Sequence, residues 1–152
     1  MDKPVNENQL DQFKSLIAKL FQCCQARMQY QSEKFGLPEA ELRCLILFGQ
    51  ERYLTSKGIA IKMNVVKSRV TKVVQGLVKR GLIHRVPDPK DSRVSLLALT
   101  ADGQRKIDKI NQFIDSIHWE VLSRMAQEQR RTLLQNLDIL SASMEAVKEL
   151  MV

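Results

Sequence analysis

The stretch that decides the fold is Ser56–Gly103, which reads SKGIAIKMNVVKSRVTKVVQGLVKRGLIHRVPDPKDSRVSLLALTADG. Its first part contains two segments whose apolar residues recur at helical spacing, and these segments predict helices over about Ser56–Met63 and Val66–Arg80. Only two residues separate the helices, and Gly81 is placed to end the second one. The first part therefore predicts two short helices joined by a tight turn.

The second part of the stretch contains two short apolar runs around a polar loop. The runs are Leu82–Val86 and Val94–Leu99, and the loop between them is the proline-containing segment Pro87–Arg93. Such a pattern is typical of a β-hairpin. A helix, a turn, a second helix and a hairpin make a winged helix-turn-helix, so the expected fold class is mainly α with a small β-hairpin wing.

Positive charge is concentrated in the same stretch. Lys57–Arg93 holds ten basic and two acidic residues, a net charge of +8, whereas the whole chain of 152 residues carries +7. A near-neutral protein with one basic module is the pattern expected for binding phosphate groups. A solvated surface and attraction to an anionic membrane are the alternatives. Lys79 and Arg80, at the end of the second helix, are expected to contact phosphate or solvent.

The second helix of the module offers polar side chains in its first turns. They are Lys67, Ser68, Arg69, Thr71 and Lys72. On a helix that protrudes into the ~12 Å major groove, such side chains can contact base edges, and Arg93 in the hairpin loop can reach the neighbouring minor groove. RNA-binding modules usually add stacking aromatic residues, and Lys57–Arg93 contains no Phe, Trp or Tyr. The residues therefore favour duplex DNA as the partner.

Two helices are expected before the module. The first is predicted over about Leu10–Lys34 and ends at Gly36, and the second runs from Glu39 to about Gln50. The first carries an apolar stripe at steps of three and four residues: Phe13, Leu16, Ile17, Leu20, Phe21, Cys24 and Met28. This helix and the last one flank the basic module from opposite ends of the chain, which favours a role in a subunit interface.

Two more amphipathic helices are expected after the module. Thr100 is a suitable N-cap for the first, and a break near Ala126 separates it from the second. Their apolar seams are Ile107, Ile110, Ile114, Ile117 and Val121, and Leu133, Leu137, Leu140, Met144, Val147 and Met151. Such spacing is typical of coiled-coil-like packing. We expect these seams to form a subunit interface, with an ordinary intramolecular core as the alternative.

Composition excludes several classes of protein. The longest apolar run, Cys44–Phe48, has five residues, far short of the ~20 that span a bilayer. Three cysteines without an export signal predict reduced thiols and a cytoplasmic protein. Two histidines are too few for most zinc sites. No nucleophile–histidine–acid set, paired carboxylates or glycine-rich phosphate loop indicates an enzyme, so we expect no enzymatic activity, no metal and no cofactor.

Several of these elements together resemble the MarR family of transcriptional regulators. The helical matches are Ile59-Ala60, Met63-Asn64-Val65, Ser68-Arg69-Val70-Thr71 and Leu77 with Gly81-Leu82-Ile83. The wing supplies Asp88-Pro89-Lys90-Asp91-Ser92-Arg93 and, after six intervening residues, Thr100-Ala101-Asp102-Gly103. The second set looks like the family pattern D-x-[RK]-D-x-R … L-T-x-x-G, and the resemblance extends over nearly the whole chain.

The resemblance implies a domain organisation and a set of roles. Residues 1–152 would form one MarR-like domain, with 1–36 and 101–152 as dimerisation helices and 37–100 as the winged helix-turn-helix DNA-binding lobe. A homodimer would place its two lobes on successive turns of a pseudo-palindromic duplex, and a crevice between the dimer helices and the lobe would hold an effector. Arg93 looks like the family's minor-groove arginine, Lys90 accompanies it in the wing motif, and Asp91 would orient it or the lobe.

Two positions depart from the family pattern. Val66 stands where a serine is common, just before the second helix of the module, and Val cannot cap a helix with its side chain. Gly58 stands where an acidic residue is common. The missing cap should leave the helix start about 1 kcal/mol less stable.

A few residues outside the module are candidates for regulation. Cys24 lies in the apolar stripe of the first helix, where some MarR relatives carry a peroxide-sensing thiol, although a small packing residue is the favoured interpretation. Cys44 is expected in the core. Arg27 lies inside the same stripe and would pair across a dimer or bind an anionic effector, and His118 with Trp119 would lie at an interface or contact an effector.

The leading prediction is a homodimeric, sequence-specific regulator of transcription that binds double-stranded DNA. We expect it to repress a pseudo-palindromic operator until a small aromatic or anionic effector releases it. The alternatives are a redox-sensing regulator that uses Cys24, an RNA-binding or non-specific architectural protein, and an interaction module or helical protein of the membrane surface. The apolar side of the basic helix carries small β-branched residues, as in a packed core helix, which disfavours the membrane.

Overall fold

A computed structural model of the protein describes residues 2–91 and 93–151. Its elements in chain order are α1 (Glu7–Phe35), α2 (Glu39–Leu47), α3 (Ser56–Met63), α4 (Lys67–Lys79), β1 (Ile83–Pro87), β2 (Ser95–Leu99), α5 (Ala101–Ser123) and α6 (Gln127–Glu149). This order confirms the predicted fold class, mainly α with one hairpin after the helix-turn-helix.

The ends of the helices follow local capping chemistry. Helix α1 begins three residues before the predicted Leu10 because Asn6 caps it: the Asn6 side chain accepts from the backbone N–H of Gln9 at 2.8 Å, and the Gln9 side chain accepts from the Asn6 N–H at 3.3 Å. Gly36 ends it with φ +65°, as predicted. Helix α2 ends at Leu47, about three residues before the predicted Gln50.

The chain divides into two compact units, residues 1–111 and 112–152. The first unit contains the apolar core, which α2, α3, α4, the hairpin and the start of α5 build together. Fully buried side chains in it include Leu42, Leu45, Ile59, Leu77, Ile83, Leu97, Ile107 and Ile110. The last two correct a prediction: they open the α5 seam but pack inside this unit, not at a subunit interface, because α5 closes one side of the core.

The apolar residues of α1 and α6 are covered very differently from that core. Within Gln127–Glu149, all of which is described, no residue is buried. In α1 most of the apolar stripe is exposed as well, including Phe13, Leu16, Leu20 and Phe21. Large apolar side chains that recur along one side of an exposed helix are typical of a surface that packs against another protein. The subunit interface expected on these helices stays a prediction.

The hairpin is held to the helices by a third extended segment. Strands β1 and β2 pair antiparallel with Ile83 opposite Leu99 and Pro87 opposite Ser95. Leu54, just before α3, forms a bridge with Leu97 through two backbone hydrogen bonds of 2.9 and 2.7 Å. The base of the wing is therefore fixed to the start of the helix-turn-helix.

The start of α5 is fitted closely against the end of α4. Thr100 caps α5, as predicted: its hydroxyl oxygen accepts from the Gly103 N–H at 3.0 Å, and the hydroxyl donates to the Gly81 carbonyl. The backbone N–H of Thr100 donates to the Leu82 carbonyl at 3.0 Å. A Cβ at position 103 would lie 1.9 Å from that carbonyl oxygen, so only glycine fits. This explains the spacing of the threonine and glycine in the wing motif.

Candidate nucleic-acid interface

Helix α4 separates an apolar face from a polar one. Val70, Val73, Val74 and Leu77 are buried in the core of the first unit. The predicted base-reading residues lie on the exposed part of the helix: Lys67, Ser68, Arg69, Thr71 and Lys72. We call these five residues the readout face. The structure thus places them together as expected, and their contact with DNA stays a prediction.

The turn before α4 shapes the entrance to this face. Asn64 adopts the left-handed conformation with φ +54°, and the Val65 N–H donates to the Ala60 carbonyl at 3.1 Å. Asparagine tolerates this conformation better than most residues do. The turn, Ser68, Arg69 and Lys72 line an open concavity of about 710 Å³, which lies at the N-terminal end of α4.

Two side chains at the start of α4, those of Val66 and Thr71, offer no free hydrogen-bond donor to a ligand. The Thr71 hydroxyl donates to the Lys67 carbonyl one turn earlier at 3.2 Å, so its proton is already used within the helix. Val66 is the N-cap and makes no side-chain capping bond, as the sequence predicts. The side-chain donors that line the concavity come from Ser68, Arg69 and Lys72, and Lys67 is exposed beside them.

The tip of the wing is organised by two aspartates. Asp88 accepts from the backbone N–H of Lys90 at 2.8 Å, and Asp91 accepts from the backbone N–H of Arg93 at 3.0 Å. The Arg93 Nε also approaches Asp91 Oδ1 at 3.4 Å while the arginine side chain stays 91% exposed. Both lysine and arginine point from short turns into solvent. Ser92, part of the wing motif, lies outside the described residues.

Helix α4 is anchored at its other end by a buried acid that sequence reasoning missed. Glu41 of α2 is buried, and its Oε1 accepts from the Arg80 Nε at 3.0 Å. Arg80 Nη1 also donates to the Gly36 carbonyl at the end of α1, at 3.4 Å. The guanidinium of Arg80 therefore links three helices while its side chain stays 43% exposed, and its predicted contact with phosphate or solvent stays a prediction. Lys79 beside it is exposed.

The close approach of α2 and α4 depends on Gly76. A Cβ at position 76 would lie 2.5 Å from Glu41 Oε1 and 2.8 Å from Glu41 Cδ. Since the Glu41 carboxylate fills the space beside Gly76, a larger residue there would displace it from Arg80. A charged residue at an inward position of α2, four before Leu45, is the sequence signal that could have revealed Glu41.

The three cysteines occupy two environments. Cys44 is buried, as predicted, and burial together with the negative charge of Glu41 raises the pKa of its thiol from 9.0 to about 12. Cys23 and Cys24 are exposed on α1. The Cys24 Sγ lies 3.8 Å from Arg27 Nη2, which donates a weak hydrogen bond to it. Cys24 is thus not buried in the single chain, because the stripe that holds it faces outward.

The predicted effector residues fall in different units. Arg27 is partly buried in the first unit, whereas His118 and Trp119 are exposed in the second. Among residues 2–91 and 93–151, no three His, Cys, Asp or Glu side chains are grouped so that they could hold a metal ion. No helix in the described part of the chain is long and apolar enough to cross a membrane.

Comparison with known proteins agrees with this fold and motif set. The family model described as "MarR family" matches residues 37–95. Over 110 residues the chain is 33% identical to the HTH-type transcriptional repressor MdtR of Bacillus subtilis, covering 72% of this chain and 71% of MdtR. Matches to three curated relatives, MdtR included, span between 60% and 71% of those proteins.

Solved structures show the same fold over almost the full chain. A MarR family protein from Bacillus stearothermophilus matches with a TM-score of 0.84 and 20% identity, covering 93% of this chain and 99% of that one. The DNA complex of MepR from S. aureus matches with a TM-score of 0.71 and 19% identity, covering 87% of this chain and 97% of MepR. With the family model and the match to MdtR, these findings show that the chain belongs to the MarR family of transcriptional regulators.

Proposed function

We propose that this regulator is a homodimer that represses transcription by binding a pseudo-palindromic operator and that a small aromatic or anionic effector releases it. The observation that carries the proposal is the readout face: polar side chains from the first turns of α4 lie exposed together while the opposite face of the helix is buried. A helix of this kind presents its N-terminal turns to the major groove.

The proposed wing contact rests on Arg93. Its side chain is 91% exposed, and Asp91 holds its backbone and its Nε, which limits the directions that the side chain samples. An arginine at the tip of a hairpin suits a narrow A·T-rich minor groove, where the negative potential is concentrated. Lys90, on the same tip, would contact the adjacent phosphates.

The proposed dimer rests on the exposed apolar residues of α1 and α6. Each unit leaves large aliphatic or aromatic side chains in solvent, for example Phe21 and Leu137. A second copy is the occupant that would cover both sets with matching surfaces, because a symmetric dimer buries the same patch on both chains. MdtR is named a repressor and MepR has been solved with DNA, which supports repression and duplex DNA as the working choices.

Binding to cognate and scrambled duplexes tests the readout face. In fluorescence anisotropy, after selection of a preferred duplex from a random pool, Arg69→Ala should cost about 1–3 kcal/mol per half-site on the selected duplex and little on the scrambled one. Lys79→Ala is the matched control at the far end of α4. If Lys79 contacts phosphate, its loss should weaken both duplexes alike and lower the salt slope by about one per contact.

The same assay separates the competing functions. Equal loss on both duplexes after Arg69→Ala would make Arg69 a backbone contact. Equal wild-type affinity for selected and scrambled duplexes would support the architectural alternative and refute the specific regulator. An aromatic carboxylate such as salicylate should release the selected duplex from the wild-type protein. If Arg27→Ala or Trp119→Ala no longer releases the duplex, the proposed effector-binding role of that residue is supported.

Light scattering tests the dimer. A mass of about 35 kDa, twice the chain mass of 17.5 kDa, is expected. Leu137→Asp should give the single-chain mass and abolish operator binding because it leaves a carboxylate unpaired in an apolar seam. Gln135→Asp, an exposed polar position on the same helix, should change neither. A wild-type mass of 17.5 kDa at all concentrations would refute the dimer.

A second candidate is redox sensing through Cys24, and one contact favours it. Arg27 Nη2 lies 3.8 Å from Cys24 Sγ, and the Cys24 side chain is exposed, so a peroxide can reach the sulfur. If wild-type operator binding is lost at low peroxide and retained in Cys24→Ser, redox control is supported. If both proteins stay bound, Cys24 is a packing residue, as the sequence favours.

A further inference from the structure

Val66 is an exposed aliphatic side chain at the start of the readout helix. Its residue is 68% exposed, and its extended backbone conformation makes it the N-cap of α4. It neither packs into the core nor caps the helix. A Ser, Thr, Asp or Asn at this place would bond one of the free N–H groups of the first turn, so Val66 does not contribute to the stability of α4 in either way.

The surroundings of Val66 are those of the readout face. It lines the same open concavity of about 710 Å³ as Ser68, Arg69 and Lys72. Arg69 is three residues further along α4, so the two side chains are neighbours at the helix start. The backbone N–H of Arg69 donates to the Val66 carbonyl at 3.1 Å. Whatever contacts Arg69 in this concavity is therefore within reach of Val66.

Only one apolar group is displayed on base edges in the major groove, the C5-methyl group of thymine. Arginine matches O6 and N7 of guanine, and aliphatic side chains match the thymine methyl. We infer that Val66 reads the methyl group of a thymine that lies within two base steps of the base contacted by Arg69. Successive bases on one strand rise about 3.4 Å, so two base steps, about 6.8 Å, cover the roughly 5–6 Å between side chains three residues apart on a helix.

This inference rests on the proposed function and makes a specific statement about the operator. Each half-site should contain a thymine whose methyl group contributes to affinity. Burying one methyl group corresponds to about a fourfold change in binding per half-site. Val66 presents an apolar surface but cannot cap α4 with its side chain. Its replacement by serine should therefore raise protein stability and lower DNA affinity.

Single-atom changes in the DNA test the methyl contact. The wild-type protein first selects its preferred duplex, and each thymine of one half-site is then replaced by deoxyuridine, which removes only the methyl group. We expect the replacement to lower the affinity about fourfold at one position. At that position 5-methylcytosine, with the paired base changed to guanine, keeps the methyl group but alters the polar edge of the base. Val66→Ser should raise the midpoint of thermal unfolding and show equal affinity for the thymine and deoxyuridine duplexes.

Ile61→Ser is the matched control. Ile61 of α3 is 70% exposed but does not line the concavity, so its loss should leave the thymine-to-deoxyuridine ratio unchanged. If the wild type binds its selected duplex specifically yet no deoxyuridine position costs affinity, or if Val66→Ser keeps the ratio, the inference is wrong while the proposed function stands. If the wild type selects no duplex at all, both are wrong.

Discussion

Replacement of Gly103 by alanine should lower the free energy of unfolding more than the same change at a glycine in open space. An added Cβ at position 103 would lie 1.9 Å from the Leu82 carbonyl oxygen, 2.9 Å from the Leu82 carbonyl carbon and 3.1 Å from Leu99 Cδ2. Ordinary contact begins at 3.4 Å, so the backbone of Leu82 or of α5 would have to move by about 1.5 Å.

The cost can be estimated from what such a shift breaks. Overpacking a closely packed site typically costs about 1–3 kcal/mol. Movement of the Leu82 carbonyl also loses the hydrogen bond from the Thr100 N–H, 3.0 Å long, worth about 1 kcal/mol. The higher helix propensity of alanine returns less than about 1 kcal/mol. We expect a net loss of about 2–3 kcal/mol, or roughly 4–12 °C in the midpoint of thermal unfolding.

Gly36→Ala is the control for this prediction. It has φ +65° and no atom within 4 Å of an added Cβ, so its cost should be only the roughly 1–2 kcal/mol of a left-handed non-glycine residue. Circular dichroism at 222 nm during urea and thermal unfolding, at one protein concentration for all variants, gives both values. A Gly103→Ala variant within 1 kcal/mol of the wild type would show that α5 can move away from Leu82 and would refute the argument.

Four further predictions concern Cys44, Glu41 and Asp91. Because burial raises the pKa of Cys44 to about 12, Ellman's reagent at pH 8 should leave this thiol unmodified in the native protein and modify it after unfolding. The unfolded chain releases the Cys44 proton near pH 9 while the folded chain holds it, so stability should fall from pH 9 towards 12, by at most about 1.4 kcal/mol per pH unit, and less steeply in Cys44→Ala. Glu41→Gln keeps the shape of the side chain but removes its charge. Since Arg80 is 43% exposed, the free energy of unfolding measured in urea should fall by only about 1 kcal/mol. An unchanged free energy of unfolding would show that this ion pair is dispensable. Asp91→Asn should weaken binding of duplexes with A·T-rich flanks without changing unfolding, as expected if it orients Arg93; unchanged affinity would remove Asp91 from the interface.

Local signals in the sequence were enough to predict the order and most boundaries of the elements. Gly36 and Gly81 adopt positive φ just after helices, and the Asn64 turn separates α3 from α4. These signals are local because each residue acts through its own backbone conformation. The start of α1 was missed by three residues, since the pattern of apolar residues begins at Leu10 whereas the cap is Asn6. Periodicity locates the buried face of a helix better than its first residue.

Contacts between distant segments could not be predicted in the same way. Arg80 and Glu41 are 39 residues apart, and nothing local to Arg80 distinguishes an ion pair from a phosphate contact. The seam of α5 shows the same limit: its spacing predicts an apolar face but not the partner, and Ile107 and Ile110 turned out to pack in the core of the first unit. The readout face was predictable because polar residues opposite a buried stripe must face solvent.

The contact of Glu41 with Gly76 constrains how this sequence can change. Any side chain at position 76 would occupy the space of the Glu41 carboxylate, which lies 2.5 Å from the added Cβ. A larger residue at position 76 should therefore shift the Glu41 carboxylate away from Arg80 and weaken their ion pair, unless position 41 becomes smaller at the same time. Positions 41, 76 and 80 should consequently tend to change together among close relatives, with glycine at 76 accompanying the acid at 41 and the arginine at 80.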